Sequence, residues 1–278
     1  MTITLTPRIP RTTRSRIGWA IRDTWVVTCR DVAHWRQQPG AVIASTLVFP
    51  VMIVLMFGYL LGGAITVPGG GNYRDFLMPG MFAMTMVFGV GATLSAVSAD
   101  AARGVTDRFR SLPMAAPAVI AGRAAADMLN SAAALAVLTG CALAAGWQPH
   151  RGAPDALAAL GLLLLLRFAL LWIGVYLGLR FYANPEAVTA VRTLEFPVGF
   201  LGNPFVAVST MPAWLGAIAL WNPLSSTVTA ARQLFGDPVG ASSSWITSHA
   251  NVMAIAWPLL LIAVFLPLSL HRYQRLNR

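Results

Sequence analysis

The sequence predicts an all-α integral membrane protein: six transmembrane helices, an N-terminal amphipathic interfacial helix, and a broken, partly re-entrant external hairpin before the last span. Two observations carry that expectation. Of 278 residues, 56% are apolar and only 11% charged, whereas a soluble domain carries about 25% charged residues. The few charges also leave long gaps. Between Arg36 and Arg74 lie 37 uncharged residues, between Asp75 and Asp100 another 24, and between Asp127 and Arg151 another 23. A further 36 separate Glu195 from Arg232, and 34 separate Asp237 from Arg272. A sixth apolar stretch, Ala156 to Leu179, is interrupted only by Arg167. A bilayer-crossing helix needs about 20 apolar residues at ~1.5 Å rise each. A soluble helical core hiding six such stretches would keep almost no water-facing surface.

The net charge of +10 comes from arginine alone, because the chain contains no lysine. That excludes phosphate-loop, Schiff-base and general-base lysine chemistry. Sixteen arginines fall on one side of the expected spans: seven before the first, then Arg103, Arg108, Arg110, Arg123, Arg180, Arg192, Arg272, Arg275 and Arg278. Only Arg74, Arg151 and Arg232 fall on the other, and Arg167 lies between. Cationic loops stay cytoplasmic, so both termini are expected inside. The same asymmetry accounts for the positive charge without nucleic acid, for which no aromatic-interleaved binding face is visible.

The expected organisation is a cytoplasmic segment over 1–40, a six-span domain over 41–270 and a cytoplasmic tail over 271–278. Residues 1–14 lack apolar periodicity. From Ser15 to Gln38, Ile17, Ile21, Trp25, Val32 and Trp35 form an apolar stripe on a helix ended by Pro39-Gly40, with Trp19 and Val26 opposite. Such a helix either lies in the membrane interface or packs on the bundle as a linker. The lead-in is too long for a signal peptide and no A-x-A site follows Thr66, so the first apolar run reads as a span.

Span one, near 41–65, carries Gly58 and Gly62 at small-xxx-small spacing. Span two, 76–99, is rich in Met and Phe, suiting either a pathway for varied hydrophobic molecules or ordinary packing. Span three runs over about 124–147, with Arg123 and Asp127 at i,i+4 in position to pair at its start. Asn184-Pro185-Glu186 is a strong helix start for span five. That span is then interrupted by Pro197, Gly199, Gly202 and Asn203-Pro204. Met211-Pro212 and Asn222-Pro223 open two short helices, the second ended by Gly236, and 209–236 reads as the re-entrant hairpin. Span six covers 245–270.

Catalytic signatures are missing: there is no H-E-x-x-H, G-x-S-x-G or Cys-x-x-Cys. His34, His150, His249 and His271 fall near membrane edges on separate segments, and Cys29 and Cys141 suggest neither a metal nor a redox site. No bound metal or cofactor is expected on this chain. Gly89-Val90-Gly91 lacks the third glycine of a dinucleotide fingerprint and sits inside a span. Two polar features remain. Arg167 lies ~18 Å deep and Glu195 ~14 Å, counted at 1.5 Å per residue, so the two are expected to pair between spans four and five. Snorkelling or water access to Arg167 is the alternative. The second feature is the charged elbow 100–113 between spans two and three, either a solvated loop or a transmitter of motion from a cytoplasmic partner.

The run Asp107-Arg108-Phe109-Arg110-Ser111-Leu112-Pro113 resembles the permease subunits of type-2 ABC exporters. So do Ser209-Thr210-Met211-Pro212-Ala213-Trp214-Leu215, Trp221-Asn222-Pro223-Leu224 and Arg232-Gln233-Leu234-Phe235-Gly236. The likeness is strongest to daunorubicin/doxorubicin resistance permeases and covers nearly the whole chain. It implies two ABC ATPase subunits that hold ATP and Mg, and a second permease as homo- or heterodimer in the lipid membrane. It places the ATPase docking surface at Asp107, Arg108, Phe109, Arg110 and Pro113, with Arg22 and Arg30 of the N-terminal helix. It places the pathway along spans one, two and five, where Phe49, Met52, Met56, Phe82, Met86, Phe200 and Phe205 are the candidates. The cargo it implies is a hydrophobic drug or antibiotic; a lipid, glycolipid or polysaccharide is the alternative, and a membrane enzyme or sensor a third.

Overall fold

Three asparagines set the helix starts. Asn72, Asn184 and Asn222 stand at N-caps, where their side-chain oxygens accept from the backbone N–H of Arg74, Ala187 and Leu224 at 3.0, 3.1 and 2.9 Å. The computed structural model describes residues 48, 51–52, 55–56, 72–104, 116–239 and 244–275. Among these, every regular element is helical. In chain order they are α1 (Tyr73–Ala102), α2 (Ala116–Ala144), α3 (Ala153–Phe181), α4 (Pro185–Phe200), α5 (Ala213–Trp221), α6 (Pro223–Phe235), α7 (Trp245–Ser248) and α8 (Ala250–Arg275). A single 3₁₀ turn, Val208–Thr210, precedes α5.

Four of these helices, α1, α2, α3 and α8, are long and apolar enough to cross a membrane. They correspond to spans two, three, four and six. Span one and the N-terminal helix fall almost entirely outside the described residues. Helix α4, at 16 residues, extends ~24 Å and stops short of a ~30 Å hydrocarbon core. The chain leaves helical geometry after Leu201, as the Pro, Gly and Asn-Pro interruptions anticipate. Gly236 then closes α6 at φ +79, and the Asp237 N–H donates to the Arg232 carbonyl at 2.9 Å. This left-handed cap is where glycine is favoured.

Helix α3 is the central element and packs chiefly against α1 on one face and α8 on another, while α6 packs against both α3 and α8. Close approach of α1 and α3 depends on two glycines one turn apart. A Cβ at Gly174 would sit 3.0 Å from the Val90 carbonyl oxygen, and one at Gly178 would sit 2.9 Å from that of Leu94. Small residues at i,i+4 let helix backbones meet where no hydrophobic force separates lipid from protein. Two aromatic-rich cores result. One gathers Phe82, Trp147 and Phe235 edge to face at 5.3, 6.1 and 5.0 Å between centroids. The other joins Val97, Ile120, Leu171, Trp172 and Tyr273 toward the opposite end. There the Ser269 hydroxyl donates to the Trp172 carbonyl at 3.1 Å, tying α8 to α3.

Candidate functional site

A polar network crosses the middle of this bundle. Arg167, on α3, is 1% exposed. Its Nη2 makes an ion pair with Asp127 of α2 and donates to the Thr93 hydroxyl of α1 at 2.7 Å. Its Nε donates to the Ser131 hydroxyl of α2 at 2.9 Å. Thr93 also contacts the Asp127 carboxylate and its own-helix carbonyl at Gly89. A lone arginine at bilayer centre costs roughly 2.5–3.5 kcal/mol on the most lenient scale; two neighbouring helices, α1 and α2, supply the acid and hydroxyls that offset it.

Both expected ion pairs are corrected by this geometry. Arg167 pairs with Asp127, and Glu195 instead accepts from the Gly91 N–H of α1 at 2.9 Å. Arg123 pairs with Asp100 of α1, not with Asp127. The reason is the helix start. Helix α2 begins at Ala116, so Asp127 lies three turns inside it, ~16 Å along, level with Arg167 rather than at the interface.

The Gly89-Val90-Gly91 segment has a role unrelated to nucleotides. A Cβ at Gly89 would lie 2.6 Å from Arg167 Cζ, and one at Gly91 would lie 2.4 Å from Glu195 Oε2. Each glycine clears space for one charged side chain; two residues apart, they lie ~200° around the helix, so α1 receives Arg167 and Glu195 on different sides. The signal was a Gly-x-Gly in an apolar helix, a pattern that identifies close approach without identifying what approaches.

The candidate pathway residues separate into two groups. Phe82 and Met86 are fully buried core side chains, a position that suits packing. Phe200 and Phe205 belong to a run of rings that begins at Phe88 of α1 and Phe196 of α4. Successive centroids lie 6.0 Å (Phe88–Phe196), 4.5 Å (Phe196–Phe200) and 4.4 Å (Phe200–Phe205) apart. Met52 and Met56 are 63% and 48% exposed. Phe49, Arg22, Arg30, Asp107, Arg108, Phe109, Arg110 and Pro113 lie outside the described residues. Beside the ring run, Pro185, Glu186, Thr189, Ala190, Thr193 and Leu194 line an open concavity of about 680 Å³. All six of these described lining residues sit on α4.

The break after α4 is held by Arg232 of α6, which charge counting had grouped with loop arginines. It is fully buried. Its Nε donates to the Phe76 carbonyl at 2.9 Å, and its Nη2 donates to the Asn203 and Pro204 carbonyls at 3.0 Å each. Its Cζ lies 3.5 Å from the Phe76 ring centroid, a cation–π contact. Backbone carbonyls released by the break thus find a donor inside the protein. Gly80 admits the same loop, since a Cβ there would meet the Pro204 oxygen at 2.3 Å. Beyond α6, Asp237 accepts from Trp147 Nε1 at 3.2 Å and meets His150 Nδ1 at 3.2 Å. The His150 N–H donates to the Phe235 carbonyl at 2.7 Å, so the α2–α3 turn is fastened to the end of α6. Burial pushes the Asp237 carboxyl up to about 6, against the lowering effect of its bonds to Trp147 and His150.

Among the described residues, an all-helical bundle with four membrane-length helices, a break after α4 and a buried charge network is that of a multi-span membrane protein. Residues 22–235 match the family model described as ABC-2 type transporter, and the chain belongs to that family as a multi-pass membrane permease. It is 32% identical over 259 residues to the "Daunorubicin resistance ABC transporter permease protein DrrB1" of Streptomyces coeruleorubidus. That alignment covers 93% of this chain and 88% of the relative.

Proposed function

We propose that this permease is the membrane subunit of an ATP-driven exporter that moves a hydrophobic drug- or antibiotic-like molecule out of the cytoplasm or inner leaflet. The observation that carries the reading is the 32% identity, spread over 93% of the chain, to a permease named for daunorubicin resistance. ATP and Mg reside on two partner ATPase subunits. The absence of lysine accords with a chain that holds no nucleotide. The N-terminal helix and the 100–113 elbow dock those ATPases, and both termini face the cytoplasm. The Tyr73 end of α1, the α2–α3 turn and the α5–α6 hairpin then lie on the external side, the hairpin partly re-entrant.

The pathway runs along α1, α4 and the first span, with Phe196, Phe200, Met52 and Met56 among its lining. A second permease closes it on the side that the described residues of α4 leave open. Glu195 and Arg167 are positioning residues: they fix α4 and α3 to α1 at mid-depth, so movement at the cytoplasmic elbow is carried along α1. Co-purification of the chain with an ATPase, followed by ATP hydrolysis measured in lipid against daunorubicin, tests the reading. Hydrolysis stimulated by the drug supports it. Drug-independent hydrolysis, or activity of the purified chain without any ATPase, contradicts it.

A further inference from the structure

Arg232 holds the backbone carbonyls of the break after α4, and the Asn203 side chain borders a second feature, a small polar cavity. Its volume is about 20 Å³, and Asn203, Ser225, Ser226, Thr229 and Thr247 form its polar lining. The rest of the described lining is apolar and includes residues of the 3₁₀ turn, α5, α7 and α8. The cavity therefore lies where the broken segment meets the start of α6.

Hydrogen bonds around it are only partly made. The Asn203 backbone N–H donates to Ser225 Oγ at 3.2 Å, and Asn203 Nδ2 donates to Thr229 Oγ1 at 2.9 Å. Asn203 Oδ1 and Ser226 Oγ, by contrast, have no hydrogen-bond partner among the described residues. Both residues are buried, at 5% and 2% exposure. Folded proteins pair nearly all such atoms, because one left unpaired keeps its full desolvation cost. Turning the Asn203 amide end for end exchanges its two atoms and still leaves one unpaired.

We propose that this cavity binds one ordered water molecule, which joins Asn203 Oδ1 to Ser226 Oγ. A buried water needs at least ~10–15 Å³ and two to four polar partners. The volume is sufficient, and the hydroxyls of Ser225 and Thr229, whose oxygens already accept, each have a proton to give. The lining also selects the ligand. No carboxylate borders the cavity, and the Arg232 guanidinium already donates to the Asn203 carbonyl at 3.0 Å. That charge opposes a cation, which would also need about six oxygen ligands. The volume is far too small for a drug-sized group.

The Asn203–Pro204 segment is then held in two ways: by a fixed guanidinium fork at its carbonyls and by an exchangeable molecule at the Asn203 side chain. A bridging water can change partners as a segment shifts, so the break can move against α6 while Asn203 stays paired. This inference goes beyond the transport reading and is independent of the cargo.

The test uses the full chain in lipid nanodiscs, with a density map fine enough to resolve ordered water and with two variants. A peak within hydrogen-bond distance of both Asn203 Oδ1 and Ser226 Oγ is expected, unchanged when sodium chloride is replaced by choline chloride. Ser226→Ala removes one partner of the water and should lower the Tm by roughly 2–4 °C. Ser226→Val also occupies the space and should lower it further, because Asn203 Oδ1 then keeps no partner. A dry cavity predicts the opposite sign, since the first variant removes an unpaired hydroxyl and the second fills a void. A Tm raised or unchanged in both variants would overturn the proposal. So would a map without the peak, or one with the Asn203 amide bonded directly to Ser226. A Tm gain from sodium over choline at equal ionic strength that Ser226→Val abolishes would overturn it in favour of a cation.

Discussion

Arg167 of α3 and Asp127 of α2 form an ion pair at 1% exposure of the arginine, whose Nη2 and Nε also donate to Thr93 and Ser131. Breaking such a pair from one side leaves an uncompensated charge, whereas replacing both partners by apolar groups is far milder. Asp127→Ala is expected to destabilise the bundle by about 3–5 kcal/mol. The double substitution Asp127→Ala with Arg167→Leu should recover most of that loss. Thermal unfolding of the four members of the cycle in detergent measures it; additive losses would mean the two residues act independently.

The glycines of α1 make a different prediction. Gly91→Ala pushes a methyl into the space of the Glu195 carboxylate and removes its bond to the Gly91 N–H. Glu195→Gln keeps an acceptor oxygen and removes the charge. If the contact positions α4, Gly91→Ala should reduce drug-stimulated ATP hydrolysis severalfold while Glu195→Gln retains most of it. Equal losses in both variants would show that the charge, not the contact, matters.

Arg232→Lys tests the device that holds the break after α4. Lysine keeps the charge but cannot present the planar fork that reaches Phe76, Asn203 and Pro204 together. Each bond to a charged donor is worth about 1.5–3 kcal/mol, so the loss should be on the order of 3 kcal/mol. Hydrogen exchange should rise in residues 201–207 before it rises in α3. Uniform loss of protection would mean the whole bundle depends on Arg232 rather than the break alone.

A pH effect follows from Asp237, whose folded carboxyl is pushed up to about 6 from the ordinary 3.8 by burial. Between those values the folded state binds a proton that the unfolded state releases. Stability from this group is therefore fully present below pH ~4 and lost as pH rises through ~6. Trp147 and His150 touch the carboxylate, and Asp75 and Arg232 act on it through space. Asp237→Asn should flatten the slope of Tm against pH across that window. An unchanged slope would assign it to other groups.

Docking of the ATPase is tested outside the described residues. Arg108→Glu combined with Arg110→Glu is expected to cut ATPase co-purification severalfold without lowering the Tm of the chain. Undiminished co-purification would place the docking surface elsewhere.

What could be read from the sequence divides along a physical line. Apolar runs, three of them charge-free and one broken only by Arg167, identify the four described membrane-length helices because bilayer thickness sets their length, and Asn-Pro steps identify the α4 and α6 starts because caps are local chemistry. The interruption of span five was legible for the same reason. Partner choice inside the membrane was not. Depth counted along one dimension places Arg167 near Glu195, but rotation of each helix decides which acid faces the guanidinium. The early start of α2 at Ala116 moved Asp127 into reach. Gly89 and Gly91 carried a visible pattern whose meaning appears only once Arg167 and Glu195 are seen against them. The role of Arg232 was not legible either, since counting charges assigns a side but does not tell a loop arginine from one buried against three carbonyls.

This chain is expected to move a hydrophobic molecule only when a separate ATPase drives it. Daunorubicin transport across vesicles holding the permease with its ATPase tests that most directly, with fluorescence quenching by trapped DNA as the readout. The expected result is ATP-dependent transport that disappears when the ATPase is omitted or its nucleotide-binding lysine is replaced. Transport that persists without the ATPase, or ATP hydrolysis that moves no drug, would contradict it.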